Sequence, residues 1–366
     1  MEGLMAAFAR YGYERVEPPL IEFEDSLLGG SGAALAPQTF RLMDPVSQRM
    51  LGVRADMTLQ IARIATSRLA ELPRPLRLSY AGQVLRVKGS PHRPERQLGQ
   101  VGAELIGSSA SRGDAEVILM AAKSLRDLGL SGLSIDLGLP TLVRALFAHH
   151  GLTGTEAGER LRAALDHKDA AAIAAVEGIP VDLYEALIAA AGPADRALAT
   201  LRRLDLPADA RRELDDLSSV IAAVRSGWPD LRLTVDPVEF RGFEYHVGVT
   251  FTLFGTDSRT ELGRGGRYLV GGDDRGRRNV QDEPATGFTL YVDALLNVAP
   301  RPARRNRIFV SGGVESGVAD RLRTEGWIVI EGLDEQGSSM DDARRLGCTH
   351  IYVAGKTQPL AQTGSN

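Results

Sequence analysis

The segment Gln100-Val101-Gly102-Ala103-Glu104 sets an amide and a carboxylate on either side of a glycine. Residues two apart on an extended strand share a face. Gln100 and Glu104 therefore project together, with Gly102 leaving room between them. Three more polar groups recur along the chain: Arg54-Asp56-Thr58, Arg241-Glu244-Tyr245-His246 and Gly265-Gly266-Arg267-Tyr268, with Arg86 preceding the Gln100 strand. Carboxylates suit an ammonium or imidazolium, an amide orients, and arginines hold an anion. Together these are the requirements of an amino-acid pocket. Any one of these charges, taken alone, is explained as well by an ion pair at a sheet surface, and the reading rests on the four groups jointly.

Other chemistries lack their residues. The sequence contains no G-x-x-x-x-G-K-[ST], H-E-x-x-H, G-x-S-x-G or C-x-x-C. His92, His149, His150, His167 and His350 show no paired ligand spacing, so neither a metal nor another cofactor is expected. Cys348 is the one cysteine, which precludes an intrachain disulfide and suits a reducing, cytoplasmic setting. The net charge of −4 gives no basic field of the kind that RNA binders carry, so tRNA is not an expected partner. No apolar run reaches the length of a membrane span, and the N-terminus reads as an amphipathic helix rather than a signal peptide.

The elements that must carry these groups alternate in type. Residues 1–12 have helical spacing, Phe40–Arg54 reads as a hairpin turning at Asp44-Pro45, and Thr58 opens a helix that Pro73 and Pro75 stop. Two strand-length runs, "LRLSYAGQVLRV" and "LGQVGAELIGS", flank the polar tip Lys88–Gln97 and read as an antiparallel hairpin with a flexible end. A helix over Asp114–Leu128 and a strand over Ser131–Gly138 follow. The expectation is an α+β fold: an antiparallel-sheet core from residues 1–140 and 230–300, interrupted by a separate Ala/Leu-rich helical insert at 141–229. A small α/β unit spans 305–356, and a polar tail covers 357–366. The loop 271–283 reads as flexible.

The order and wording of these segments resemble the catalytic core of histidyl-tRNA synthetases, class II enzymes with an antiparallel sheet, over residues 5–140 and 235–297. "GYERVEPPLIE" is similar to the family's first motif, a dimer-interface element. "VRADMT" resembles "LRPEGT", "RLSYAGQVLRV" with "RPERQLGQVGAELIG" resembles the second motif, "FRGFEYHVGVTF" resembles "VRGLDYYTRTVFE", and "GRGGRY" resembles "AGGRYDGL". The departures concentrate on ATP. The third motif's arginine falls at Ala294, beside Asp293. The motif glutamate is shortened to Asp56, the second arginine of the motif-2 loop matches Pro94, and the second tyrosine of "DYY" is His246. A charge-assisted bond is worth about 1.5–3 kcal/mol, so these changes imply ATP binding weakened by roughly tenfold to a thousandfold.

That combination resembles the synthetase-like regulatory subunits of ATP phosphoribosyltransferase. The resemblance implies a non-catalytic subunit required for the first step of histidine biosynthesis and for its feedback inhibition by L-histidine. It implies a hetero-oligomer with a short-form catalytic subunit and a homodimer through the synthetase-like core. It also implies that the chain starts downstream of the family's usual first residue. By the same resemblance Gln100 and Asp56 hold an α-ammonium group and Glu104 and His246 meet the imidazole. Tyr245 and Tyr268 line the pocket, Arg241 takes the carboxylate, and Arg86 holds an anion or is a relic, with Thr58 beside Asp56. An active histidyl-tRNA synthetase, or a synthetase-like paralogue with another role, is the alternative.

Overall fold

Leu4, Met5, Ala7 and Phe8 recur at helical spacing and form the buried side of α1 (Glu2–Ala9), where Phe8 meets Phe288 edge-to-face at 5.4 Å between ring centroids. The computed structural model describes residues 1–89, 94–239, 246–256, 260–271, 282–300, 306–333 and 340–360. They form two units, Met1–Pro300 and Arg301–Asn366. The expectations about the hairpin tip at 90–93, the loop at 272–281, and Arg241, Glu244 and Tyr245 lie outside the described residues.

After α1 and the short β1 (Glu14–Arg15), the chain builds a three-stranded antiparallel sheet in the order β2-β4-β3. It comprises β2 (Ile21–Phe23), β3 (Phe40–Met43) and β4 (Met50–Val53), with α2 (Glu24–Leu27) and 3₁₀ turns over Gly30–Gln38 between the first two. The β3–β4 connection is the expected aspartate-led turn: the Asp44 carboxylate accepts from the amides of Val46 and Ser47, both at 3.1 Å. Helix α3 (Thr58–Ser67) follows.

The main sheet has nine strands, in the order β1, β5 (Leu76–Leu85), β6 (Gln97–Ile106), β12 (Glu283–Tyr291), β11 (Gly263–Val270), β10 (His246–Phe254), β7 (Ser134–Gly138), β9 (Arg232–Asp236) and β8 (Gly192–Pro193). Its hairpin β5 (Leu76–Leu85) and β6 (Gln97–Ile106) pairs antiparallel from Leu76↔Ile106 to Leu85↔Gln97. Helix α4 (Ser111–Asp127) and β7 (Ser134–Gly138) lead into the alanine-rich stretch. There α5 (Pro140–His149), α6 (Glu156–His167), α7 (Ala170–Ala174), α8 (Val181–Ala190), β8 (Gly192–Pro193), α9 (Ala194–Leu201) and α10 (Ala208–Gly227) follow one another. Rather than enclosing a core of their own, Leu146, Leu161, Leu187, Leu201, Leu214 and Val224 join the hydrophobic cluster that also holds Ile118, Ile135 and Phe251. The leucine faces of short helices have too little area to stand alone, and the main sheet completes them.

The sheet then closes with β9 (Arg232–Asp236), β10 (His246–Phe254), β11 (Gly263–Val270) and β12 (Glu283–Tyr291), and α11 (Val292–Val298) packs behind β6. From β5 through β6, β12, β11 and β10 to β7 every pairing is antiparallel; β1–β5 and β7–β9 are parallel.

The second unit alternates β13 (Arg307–Val310), α12 (Ser316–Thr324), β14 (Ile328–Glu331), α13 (Met340–Arg345), β15 (His350–Val353) and β16 (Lys356–Pro359), with strand order β14-β13-β15-β16. Strands β13, β14 and β15 are parallel, as the strand–helix spacing predicts. Residues 357–359, expected to be tail, instead pair with β15. The two-residue turn Ala354-Gly355, with φ of 49° and 79°, supplies the left-handed pair that a tight hairpin needs.

Candidate functional site

Strand alternation and sheet order place two rows of side chains side by side on one face. One row runs Leu78, Glu104, Gly287, Gly266, Thr250. Its neighbour runs Tyr80, Gly102, Thr289, Arg264, Thr252. Tyr268 and His246 sit opposite one another beyond the first row, and Gln100 and Tyr291 beyond the second. A cavity of ≈ 60 Å³ opens on this face, and its walls include Asp56, Thr58, Glu104, His246, Arg264, Tyr268, Thr289 and Tyr291. At roughly 10–15 Å³ of such space per water, it holds about four to six waters, the scale of a small ring.

Glu104 is the centre of the polar network. Tyr268 donates to its Oε2 at 2.9 Å and Tyr80 to its Oε1 at 3.1 Å. The Tyr80 hydroxyl also bonds Thr58 Oγ1 at 3.0 Å and Thr289 Oγ1 at 2.9 Å. Burial pushes the Glu104 carboxyl up to about 8; the two phenols pull it back, and the charge of Asp56 adds to the rise. The same burial, with Glu104 and Asp56 nearby, drives the Tyr80 phenol well above its ordinary value. A carboxyl raised in this way holds its proton to higher pH than an exposed one and ionises more readily when a cation is set beside it.

Gly102 does leave room above the sheet, as the sequence suggests, but Tyr80 fills it: a Cβ at Gly102 would lie 2.4 Å from the Tyr80 hydroxyl oxygen. Gly287 serves Glu104 in the same way, since a Cβ there would lie 1.7 Å from Oε2. Two glycines thus set the phenol and the carboxylate into the sheet.

Gln100, also buried, links the strand to the entry of α3. Its Nε2 donates to Asp56 Oδ2 at 2.8 Å and its Oε1 accepts from the Met57 amide at 3.2 Å. The other Asp56 oxygen accepts from the Thr58 amide at 2.9 Å. The structure therefore brings Asp56, Thr58, Glu104, His246 and Tyr268 together on the cavity wall, while Gln100 is not a lining residue and reaches the cavity only through Asp56. Arg86 is not among the cavity's lining residues; its Nε donates to the Ala55 carbonyl at 3.3 Å. Arg241 and Tyr245 lie outside the described residues.

Other members of the sequence groups build the frame. Buried Arg54 donates to the carbonyls of Pro18 at 2.6 Å and Gln83 at 2.8 Å. Arg267 faces away from the cleft and pairs with buried Asp114 through Nη2 at 2.7 Å and Nε at 3.2 Å, while also donating to the Ser108 and Ala110 carbonyls. His246 enters the cleft wall with its carbonyl gripped by Arg144 of α5. Asp293 does not line the cavity: its carboxylate accepts from the Gly99 amide at 2.9 Å, and Ala294 is buried in the main core. The sequence reading missed Arg264, Thr289 and Tyr291. Alternation along β11 and β12 points them into the cleft, but only the β6-β12-β11 order reveals that those strands flank Glu104.

Among the described residues, no three His, Cys, Asp or Glu side chains converge as a metal site, and no helix is long and apolar enough to cross a membrane.

Residues 1–295 match the family described as histidyl-tRNA synthetase. The ATP phosphoribosyltransferase regulatory subunit of Paramagnetospirillum magneticum (strain ATCC 700264 / AMB-1) is 55% identical over 350 residues, covering 96% of this chain and 90% of that one. The chain belongs to the ATP phosphoribosyltransferase regulatory subunit family. The regulatory subunit of Rhodospirillum centenum (strain ATCC 51521 / SW) is 51% identical, with 98% of this chain and 90% of that one covered. Among solved structures, an ATP phosphoribosyltransferase regulatory subunit/histidyl-tRNA synthetase from Bacillus halodurans superposes with a TM-score of 0.78 at 24% identity, covering 96% and 91% of the two chains. A chain of the ATP phosphoribosyl transferase (HisG:HisZ) complex from Thermotoga maritima gives 0.61 at 18% identity, covering 80% and 95%. These likenesses establish the synthetase-like α+β fold, and the family membership makes the chain a regulatory subunit of ATP phosphoribosyltransferase.

Proposed function

We propose that this chain is a non-catalytic regulatory subunit that activates a short-form ATP phosphoribosyltransferase catalytic subunit in the cytoplasm, and that the Glu104 cleft takes L-histidine as the feedback effector. The observation that carries this reading is the buried Glu104 carboxyl, held by Tyr80 and Tyr268, on a cavity whose wall also carries Asp56, itself held by Gln100. Glu104 and His246 meet the imidazole, Gln100 and Asp56 hold the ammonium beside Thr58, and Tyr268 lines the pocket. Tyr245 joins that lining and Arg241 supplies a cation, by likeness to the synthetase motifs; Arg86 holds an anion or is a relic. Ala294 replaces the cation that would hold ATP, and neither a cofactor nor tRNA enters the scheme.

A homodimer is part of the same proposal. Ile21, Phe23, Phe40, Leu42, Leu51 and Val53 share one face of the β2-β4-β3 sheet, and none of them is fully buried. An apolar sheet face of this kind calls for a cover, and a second copy of this core supplies one.

The test is reconstitution. Mixing the purified chain with a short-form catalytic subunit should generate phosphoribosyl transfer to ATP that histidine inhibits. The chain alone should catalyse no histidine-dependent pyrophosphate exchange. Robust exchange by the pure chain would overturn the proposal.

A further inference from the structure

We propose that Arg264 recognises the carboxylate of the amino-acid ligand and makes the cleft discriminate free histidine from analogues lacking the acid. The inference rests on the histidine reading and assigns the group that completes the grip. Among the described residues lining the cavity, Arg264 is the one with a permanent positive charge, while Asp56 and Glu104 supply acids. The cavity wall thus carries both a cation and acids, as a zwitterion requires. Arg264 sits on the Gly102–Thr289 row and Glu104 on the next, two strands away. At about 4.8 Å per strand and about 3.4 Å per residue along it, their Cα atoms lie roughly 12 Å apart.

Glu261 fixes the guanidinium. Its Oε2 accepts from Arg264 Nε at 3.1 Å, and its two oxygens accept from Nη2 at 2.7 Å. The paired side chains are 34% and 22% exposed. A fork held on one edge by a carboxylate has its orientation set before a ligand arrives. Arg241, the candidate for the same carboxylate from sequence likeness, is the rival the experiment must separate.

The experiment is calorimetric titration of the full chain with L-histidine and with L-histidinol, in which an alcohol replaces the carboxylate. Wild type should prefer histidine by about tenfold to a hundredfold. Arg264→Gln should weaken histidine alone and reduce the preference to about threefold or less, with histidinol affinity unchanged. Arg264→Lys should retain most of the preference. A merely structural role would weaken both ligands alike. The assignment is overturned if Arg264→Gln keeps the wild-type ratio, or if Arg241→Gln alone abolishes it. Wild type binding neither ligand would overturn the histidine reading itself, and this inference with it.

Discussion

Replacing Glu104 by glutamine gives the sharpest test of the cleft's electrostatics. The Glu104 side chain is 1% exposed, and its carboxyl is raised by burial from 4.5 to about 8. Below pH 4.5 the group is protonated in both folded and unfolded chains. Between 4.5 and 8 the unfolded chain has released the proton while the folded chain keeps it. Folding then takes up a proton, and stability falls as pH rises. At about 1.36 kcal/mol per pH unit, that window amounts to about 5 kcal/mol. The glutamine side chain has nearly the same shape and cannot ionise; its carbonyl accepts from one phenol and its amide donates to the other. Urea denaturation of wild type and Glu104→Gln between pH 4.5 and 9 should show the variant gaining on wild type steadily up to about pH 8, then running parallel. Parallel curves across the whole range would refute the reasoning, because they would mean that Glu104 ionises in the folded chain as it does in water.

Gly287→Ala should destabilise the main unit by about 1–3 kcal/mol and abolish histidine binding, since the new methyl group meets Glu104 Oε2; denaturation and calorimetry read the two effects. Arg267→Met strands buried Asp114 without its cation and should cost about 3–5 kcal/mol in urea denaturation. Leu51→Asp should weaken the homodimer by about tenfold to a hundredfold or more in sedimentation velocity, given about 1.5–3 kcal/mol for a buried leucine. An unchanged dimer would place the interface elsewhere.

How much of the cleft is legible in the sequence depends on how local each contact is. Gln100 and Glu104 announce themselves by alternation within one strand, and Asp56 and Thr58 by their place at a helix entry. Tyr80 is visible as a neighbour on the partner strand, but its bond to Thr289 joins residues 209 apart in the chain. That bond, and the positions of Arg264 and Tyr291, follow from β12 inserting between β6 and β11, a long-range choice that no window of sequence contains. The helical stretch is similar. Its helices are plain in the spacing of leucines, whereas their sharing of the sheet's core comes from packing between distant elements, α10 on α4 and α5 on β10. Asp293 shows what likeness of motif leaves out: the sequence sets it beside the third motif's arginine position, while only the fold shows its carboxylate accepting from the Gly99 amide.

The most direct test of the central claim is calorimetric titration of the purified chain with histidine and then with ATP. Saturable histidine binding that Glu104→Ala abolishes, with no binding of ATP, is the predicted result. Histidine affinity unchanged in Glu104→Ala would place the effector site outside this cleft, and tight ATP binding would contradict a cleft that has given up its nucleotide.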